Sequence, residues 1–261
     1  MITAASNSRI KRLVQLNQKS KLRRTEDVFL AEGVKMFLEA PREQLQEVYV
    51  SESFLEKCSC REHLEEVGYE VVSDSVFSKI SDTCTPQGVL CVLKQFHYNI
   101  EEMLRDKAPL FLLLENIQDP GNLGTMLRTG EGAGVSGIIM SRDTVDLYNP
   151  KVIRSTMGSI YRVPFYYADD FAAAVHQVQQ AGISVYAAHL RGKNSYACQD
   201  YTKGTAFLIG NEGNGLREET AELADCYIRI PMEGKVESLN AAVASSILMY
   251  EAHRQRAMIE K

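Results

Sequence analysis

LFLLLENIQDPGNLGTMLRTGEGAGVSGIIMS, residues 110–141, decides the fold. The apolar run that opens it reads as a strand, residues 110–116, buried on both faces. Pro120-Gly121 is a turn, and residues 122–133 form a helix for which Asn122 is a cap or a side-chain donor. Residues 137–141 return as a second buried strand. Gly132-Ala-Gly134-Val-Ser-Gly137 matches the G-x-G-x-x-G fingerprint of dinucleotide sites. That fingerprint must follow a strand and open a helix, so that a pyrophosphate meets the helix N-terminus. Here it ends a helix, and Gly134 is better explained as a C-cap. A Rossmann dehydrogenase is excluded on that ground. A Walker A loop is excluded too, since neither Gly192-Lys193 nor Gly234-Lys235 is followed by Ser or Thr.

The same alternation extends outward. Further strands are expected over 163–167, 183–188, 206–210 and 227–231, with helices over 149–160, 170–181 and 239–254. Short buried strands separated by longer helices give an α/β fold with a mostly parallel sheet and helices on both faces. Upstream, a polar stretch over 96–108 reads as a linker. Residues 1–95 form a smaller α/β domain: a helix over 6–18 capped by Ser6, a strand-then-helix segment over 28–40, strands over 47–51, 69–73 and 88–94, and a helix over 53–67. The expected domains are therefore 1–95 and 109–261, joined by 96–108.

Hydrophobic and charged fractions of 45% and 24% in 261 residues are those of a soluble globular protein. No apolar run is long enough to cross a bilayer, and the N-terminus lacks the apolar core of a secretory signal. A cytoplasmic location is expected. Of the cysteines, only Cys58 and Cys60 are close, with His63 nearby, and they lack the paired Cys-x-x-Cys spacing of structural zinc sites, so no metal is expected. Net charge is −5, yet Arg9, Lys11, Arg12, Lys19, Lys21, Arg23 and Arg24 fall within the first 24 residues, where no acid occurs. A segregated basic patch on an acidic chain suggests a polyanion bound at one place.

Three segments carry candidate chemistry. Asp119-Pro-Gly-Asn122-Leu-Gly-Thr-Met-Leu-Arg128 follows a buried strand, at the carboxyl edge where open α/β sheets bind ligands. Leu208-Ile-Gly-Asn-Glu-Gly-Asn-Gly215 runs from a strand into three glycines, which let backbone approach a ligand closely. Glu212, among them, can accept hydrogen bonds from a hydroxyl or an amine. In the third segment a strand ends at Pro231, and Ser238-Leu-Asn240 opens a helix of small residues (Ala241, Ala242, Ala244, Ser245 and Ser246) that permits close packing. Ser238 is a candidate N-cap there.

Taken together, Pro-x-Asn-x5-Arg, then Gly-x-Glu-Gly after a strand, then Ile-Pro-Met…Ser-Leu-Asn before a helix resemble the SpoU (TrmH-type) RNA 2′-O-ribose methyltransferases of the SPOUT superfamily, over residues 108–256. The basic stretch to Arg24 and Phe29-Leu-Ala-Glu-Gly33 resemble the L30e-like substrate-binding domain that often precedes that catalytic domain. The resemblance implies an α/β-knot fold, in which the C-terminal segment threads a loop to make a deep trefoil knot. It also implies S-adenosylmethionine as cofactor, a homodimer with the active site at or near its interface, and no metal. By position, Gly210, Ile230 and Leu239 would contact the cofactor, with Glu212, Gly213, Met232 and Ser238 lining the same site. Asn122, Arg128, Glu212, Ser238 and Asn240 would form the catalytic group, and the basic residues between Arg9 and Arg24, with Arg128, would bind RNA.

The implied chemistry is attack of a ribose 2′-oxygen on the sulfonium methyl, aided by alignment and exclusion of water. A guanidinium stays protonated in proteins, so Arg128 is expected to clamp a phosphate and stabilise the developing alkoxide rather than act as the base. The adjacent phosphate, or a base helped by Ser238, takes the proton. Ribosomal RNA, 23S in particular, is expected ahead of transfer RNA, by family analogy. The rival reading is a non-catalytic RNA-binding or ribosome-associated protein that kept the fold. Intact Asn122, Arg128, Glu212, Ser238 and Asn240 argue against it.

Overall fold

The structure is a computed structural model, in which residues 1–259 are described. In chain order the first elements are α1 (Ser8–Gln18), α2 (Ser20–Glu26), β1 (Val28–Glu32), α3 (Val34–Leu38), β2 (Leu45–Ser51), α4 (Glu52–Lys57), α5 (Arg61–Val67), β3 (Glu70–Val72), α6 (Asp74–Ile80) and β4 (Val89–Lys94). There follow α7 (Ile100–Met103), β5 (Leu110–Leu114), α8 (Pro120–Ala133), β6 (Gly137–Ser141), α9 (Pro150–Thr156), β7 (Phe165–Ala168), α10 (Phe171–Gln180), β8 (Ser184–Ala188), β9 (Asn194–Ser195), β10 (Thr205–Ile209), α11 (Glu218–Ala221), β11 (Cys226–Arg229) and α12 (Ala241–Ile259).

Two compact units result. The first comprises Met1–Phe96 with Asp146–Tyr161, and the second comprises His97–Val145 with the chain from Arg162 onward. The segment 146–161, expected within the C-terminal domain, clusters with the first unit, where α9 packs on β1 and Tyr148 packs on Phe29. Its ring lies 4.8 Å from that of Phe29, its hydroxyl donates to the Phe96 carbonyl at 3.1 Å, and it accepts from the Phe96 amide at 2.6 Å. The last two residues of the expected catalytic domain lie outside the described residues.

The first unit holds a four-stranded sheet in the order β1-β4-β2-β3. β4 is antiparallel to both neighbours, and β2 is parallel to β3. α1 lays Ile10, Leu13 and Leu16 onto it, the spacing of one helical face. Asn7, not Ser6, caps α1, accepting from the Arg9 amide at 2.9 Å. The helix expected over 53–67 is two helices, because Cys58 is extended and breaks it. The helix expected over 149–160 stops at Thr156: Met157 and Gly158 take positive φ, and a single 3-10 turn follows. α2 and α6 escaped the sequence reading, since seven-residue helices present too few turns for an apolar stripe to register.

In the second unit seven strands run in the order β7-β6-β5-β10-β8-β11-β9, and every pairing is parallel. The chain moves outward from β5 through β6 to β7, then crosses to build the other half on β8, β10 and β11. β5 and β10 are buried along their whole length, as both-faced coverage requires. Gly134 ends α8 in the left-handed region at φ +76°, the C-cap that its sequence context predicted.

Arg23 is 3% exposed in the first unit. Its guanidinium donates to the carbonyls of Leu16 (2.6 Å) and Asn17 (3.2 Å) and pairs with Asp146. Arg23→Ala removes the donor to the two carbonyls and the partner of a half-buried carboxylate, and should cost about 1–3 kcal/mol in denaturant unfolding. A loss under about 1 kcal/mol, the worth of a surface pair, would refute this role.

Candidate active site at the sheet edge

β5, β10, β8 and β11 are neighbours and parallel, so their carboxyl ends open on the same edge. The loops leaving that edge supply all three segments singled out in the sequence. After β10 the chain closes on itself: the Asn211 amide donates to the Gly215 carbonyl at 3.0 Å, and the Gly215 amide returns a bond to Asn211 at 2.9 Å. A Cβ on Gly210 would lie 2.2 Å from main-chain atoms of Gly215 and Leu216, so no other residue fits there. Gly215 has φ +68°, the left-handed region that glycine enters without cost.

Glu212 ties this glycine loop to the start of α8. Its Oε1 accepts from the Asp119 amide (3.0 Å) and the Asn122 side chain (2.9 Å). Its Oε2 accepts from the Gln118 amide (3.1 Å) and the Asn211 side chain (3.5 Å). Burial alone would raise this carboxyl, but the bonds from Asn122, Gln118 and Asp119 outweigh it and hold Glu212 below its ordinary range. A carboxylate whose four lone-pair sites are all engaged is an anchor rather than a proton acceptor.

The chain of bonds continues. Asn240 Nδ2 donates to Asn122 Oδ1 at 2.9 Å, while Asn240 Oδ1 accepts from the amides of Ala242 (2.9 Å) and Val243 (3.3 Å). Asn240 is therefore the N-cap of α12, and Ser238, the candidate for that position, is not. At α8 the cap is Asp119, which accepts from the Asn122 amide at 2.8 Å. Pro120 and Gly121, read as a turn, are its first helical residues, because proline suits the first helical position. Asn122 is thus the side-chain donor of the two roles open to it.

Beside this chain lies a cavity of about 300 Å³. Gly210, Glu212, Gly213, Ile230, Met232, Ser238 and Leu239 line it, with Ala188, His189 and Leu190 from the end of β8, which the sequence did not single out. Ser238 is exposed. Arg128 lies six residues beyond Asn122 on α8 and is exposed, and its side chain has no hydrogen-bond or ion-pair partner among the described residues. Of the basic N-terminal residues, Arg12 pairs with Glu26 and Glu47, both at 2.7 Å, Arg9 pairs with Glu70 at 3.2 Å, and Arg23 is buried. Lys11, Lys19, Lys21 and Arg24 are exposed.

Two supports were missed. Asn211 Oδ1 caps the glycine loop through the amides of Gly213 (2.9 Å) and Asn214 (3.1 Å), and its Nδ2 reaches the Asn116 carbonyl at 2.8 Å. Glu115 is 1% exposed at the end of β5. It accepts from the Arg217 amide at 2.8 Å and the Thr220 hydroxyl, with the Arg217 guanidinium 3.5 Å away. A charge ending a run of five apolar strand residues was the signal that could have found it.

The SpoU rRNA Methylase family pattern matches residues 109–250, and an MRM3-like substrate binding domain matches residues 7–91. The 23S rRNA (guanosine(2553)-2′-O)-methyltransferase RlmP of Bacillus subtilis (strain 168) is 32% identical over 252 residues, covering 95% of this chain and 97% of RlmP. An AdoMet-bound rRNA methyltransferase from Sinorhizobium meliloti is similar in structure, with TM-score 0.84 and 31% identity over 97% of each chain. So is the SpoU methyltransferase AviRb from Streptomyces viridochromogenes in complex with the cofactor AdoMet, with TM-score 0.87 and 26% identity over 96% of this chain and 98% of AviRb.

Because Glu212 is held below its ordinary range, its ionised form stabilises the folded loop above the unfolded value of about 4.3, and that contribution fades as pH falls through the lower folded value. Glu212→Gln should therefore be less stable than the wild type at neutral pH, with the gap narrowing on acidification. Denaturant unfolding at a series of pH values reads this; a gap independent of pH would show that the charge is not what anchors the loop.

Proposed function

We propose that this chain, which belongs to the SpoU rRNA Methylase family and is an S-adenosylmethionine-dependent RNA 2′-O-ribose methyltransferase, acts on ribosomal RNA, 23S ahead of transfer RNA. The observation that carries the site assignment is the Asn240–Asn122–Glu212 chain beside the glycine-loop cavity. The cavity has the size of a small-molecule site, and its glycine wall offers bare main-chain groups. The reading therefore places the cofactor against Gly210, Gly213, Ile230, Met232, Ser238 and Leu239. The cofactor supplies a methyl group carried on a sulfonium.

The chain's own residues then align the RNA ribose and manage charge. Asn122 and Asn240 bring the N-termini of α8 and α12 together, and the partial positive charge of both ends favours the negative charge that develops on the attacking 2′-oxygen. Glu212, with no free lone pair, positions rather than reacts. Arg128, unpaired and always cationic, clamps the flanking phosphate. Ser238 stands beside the cavity to pass the 2′-proton toward that phosphate. The exposed Lys11, Lys19, Lys21 and Arg24 supply sequence-independent phosphate contacts, whereas Arg12 and Arg23 serve the fold of the first unit.

The family supports a trefoil knot closed by the C-terminal segment and a homodimer. On α12, Val243 and Tyr250, seven residues apart, are 48% and 49% exposed, an apolar stripe suited to a partner copy. No described helix is long and apolar enough to cross a membrane, and a ribosomal RNA substrate favours the cytoplasm.

Mapping of 2′-O-methylation across total RNA, with and without the protein, tests the substrate: loss of one 23S site is expected, and an unchanged map favours the non-catalytic rival. Arg128→Ala should lower kcat by roughly 10²–10³-fold, the loss typical of one transition-state donor, while calorimetric binding of S-adenosylhomocysteine is unaltered. Near-normal turnover of Arg128→Lys would rule out a bidentate clamp. Val243→Glu with Tyr250→Glu should shift sedimentation from dimer to monomer; an unchanged dimer would move the interface elsewhere.

A further inference from the structure

The cavity wall contributed by the end of β8 has no part in the three sequence segments, yet it includes His189. The surroundings fix that ring in one form. Its Nδ1 accepts a hydrogen bond from the Arg191 amide at 3.1 Å, so in the neutral ring the proton resides on Nε2. The ring packs on Tyr227, with centroids 5.0 Å apart and planes 34° from parallel. The Arg191 guanidinium lies over the Tyr227 ring, 5.9 Å from its centroid, and pairs with Glu218. Burial first, and then the neighbouring Arg191 cation, lower the proton affinity of His189, against a smaller opposing pull from Glu218. The ring is thus neutral near pH 7.

We propose that His189 is a further cofactor-binding residue, whose Nε2–H donates a hydrogen bond to an acceptor atom of S-adenosylmethionine. This rests on the cavity being the cofactor site. Three features favour a donor role over simple packing. The other ring nitrogen is already engaged, so Nε2–H is the polar group that His189 has left to offer. The Tyr227 contact and the Arg191 amide fix the ring in place, which reduces the ordering cost of using it. Its neutral form adds no positive charge to a cavity that must accept a sulfonium. Gly210, Gly213 and Gly215 offer main-chain groups alone, and His189 adds a side-chain donor from a different strand end.

The test is isothermal titration of S-adenosylmethionine and S-adenosylhomocysteine into the wild type, His189→Phe and His189→Gln, with thermal unfolding of each protein alone. Phe keeps a ring against Tyr227 and removes the donor; Gln restores an N–H at comparable reach. The wild type should bind both ligands, Phe should weaken both about three- to tenfold, the worth of one neutral hydrogen bond, and Gln should recover most of that loss. Equal binding by the wild type and a folded Phe variant would overturn the role of His189 while leaving the cavity assignment intact. A Gln variant as weak as Phe would likewise overturn it, since the effect would then not be that of a donor. If His189→Phe does not fold, the Gln variant is compared with His189→Ala on the same criterion. No binding of either ligand by the wild type would instead overturn the cavity assignment itself.

Discussion

Four donors from two separate segments converge on one carboxylate, that of Glu212, and the geometry of the site depends on that convergence. Two of them are main-chain amides just before α8, so the glycine loop after β10 is docked to a helix start rather than to a mobile side chain. A third, Asn122, carries the constraint onward to Asn240 and hence to the first turn of α12. Three loops that leave different strands are thereby held in one arrangement. The carboxylate is anionic because it is saturated with donors, and it is saturated because β5 and β10 are adjacent, which brings residues about 90 positions apart within reach.

Beneath this layer lies a second one. Glu115 fixes Arg217 just after the glycine loop, and Asn211 fixes the loop internally. Neither touches the reacting centre in the proposed reading. Their contribution is to remove alternatives, so that the loop does not need to be ordered when a ligand arrives.

The sequence showed the second unit's alternation almost completely, because its strands are continuous apolar runs and its longer helices are bounded by strong punctuation. Asn122, Glu212 and Asn240, one from each of the three segments, are joined by hydrogen bonds, whereas Arg128 lies further along α8. What the sequence hid was local competition. Asp119 and Asn240 took the caps that Ser238 and Asn122 could equally have filled, since all four residues are competent caps and only the chain's approach angle decides. Short helices such as α2 and α6 lacked the length for a period. The basic stretch misled in a different way: its charges were read as one patch, but Arg12 and Arg23 meet acids from distant parts of the chain, which no local window can see. His189 was invisible because a single histidine at a strand end has no pattern around it.

The close approach of Gly210 to Gly215 has a consequence for how this site can change over evolutionary time. Where a wall is made of main chain, its donors and acceptors are the same whatever residues surround it. Mutation can abolish such a surface by introducing a Cβ, but it cannot retune the surface by degrees. In the proposed reading, recognition by the glycine loop is therefore insulated from drift. Gradual change is left to the side chains around the rim, where substitutions can alter the cavity without disturbing that wall.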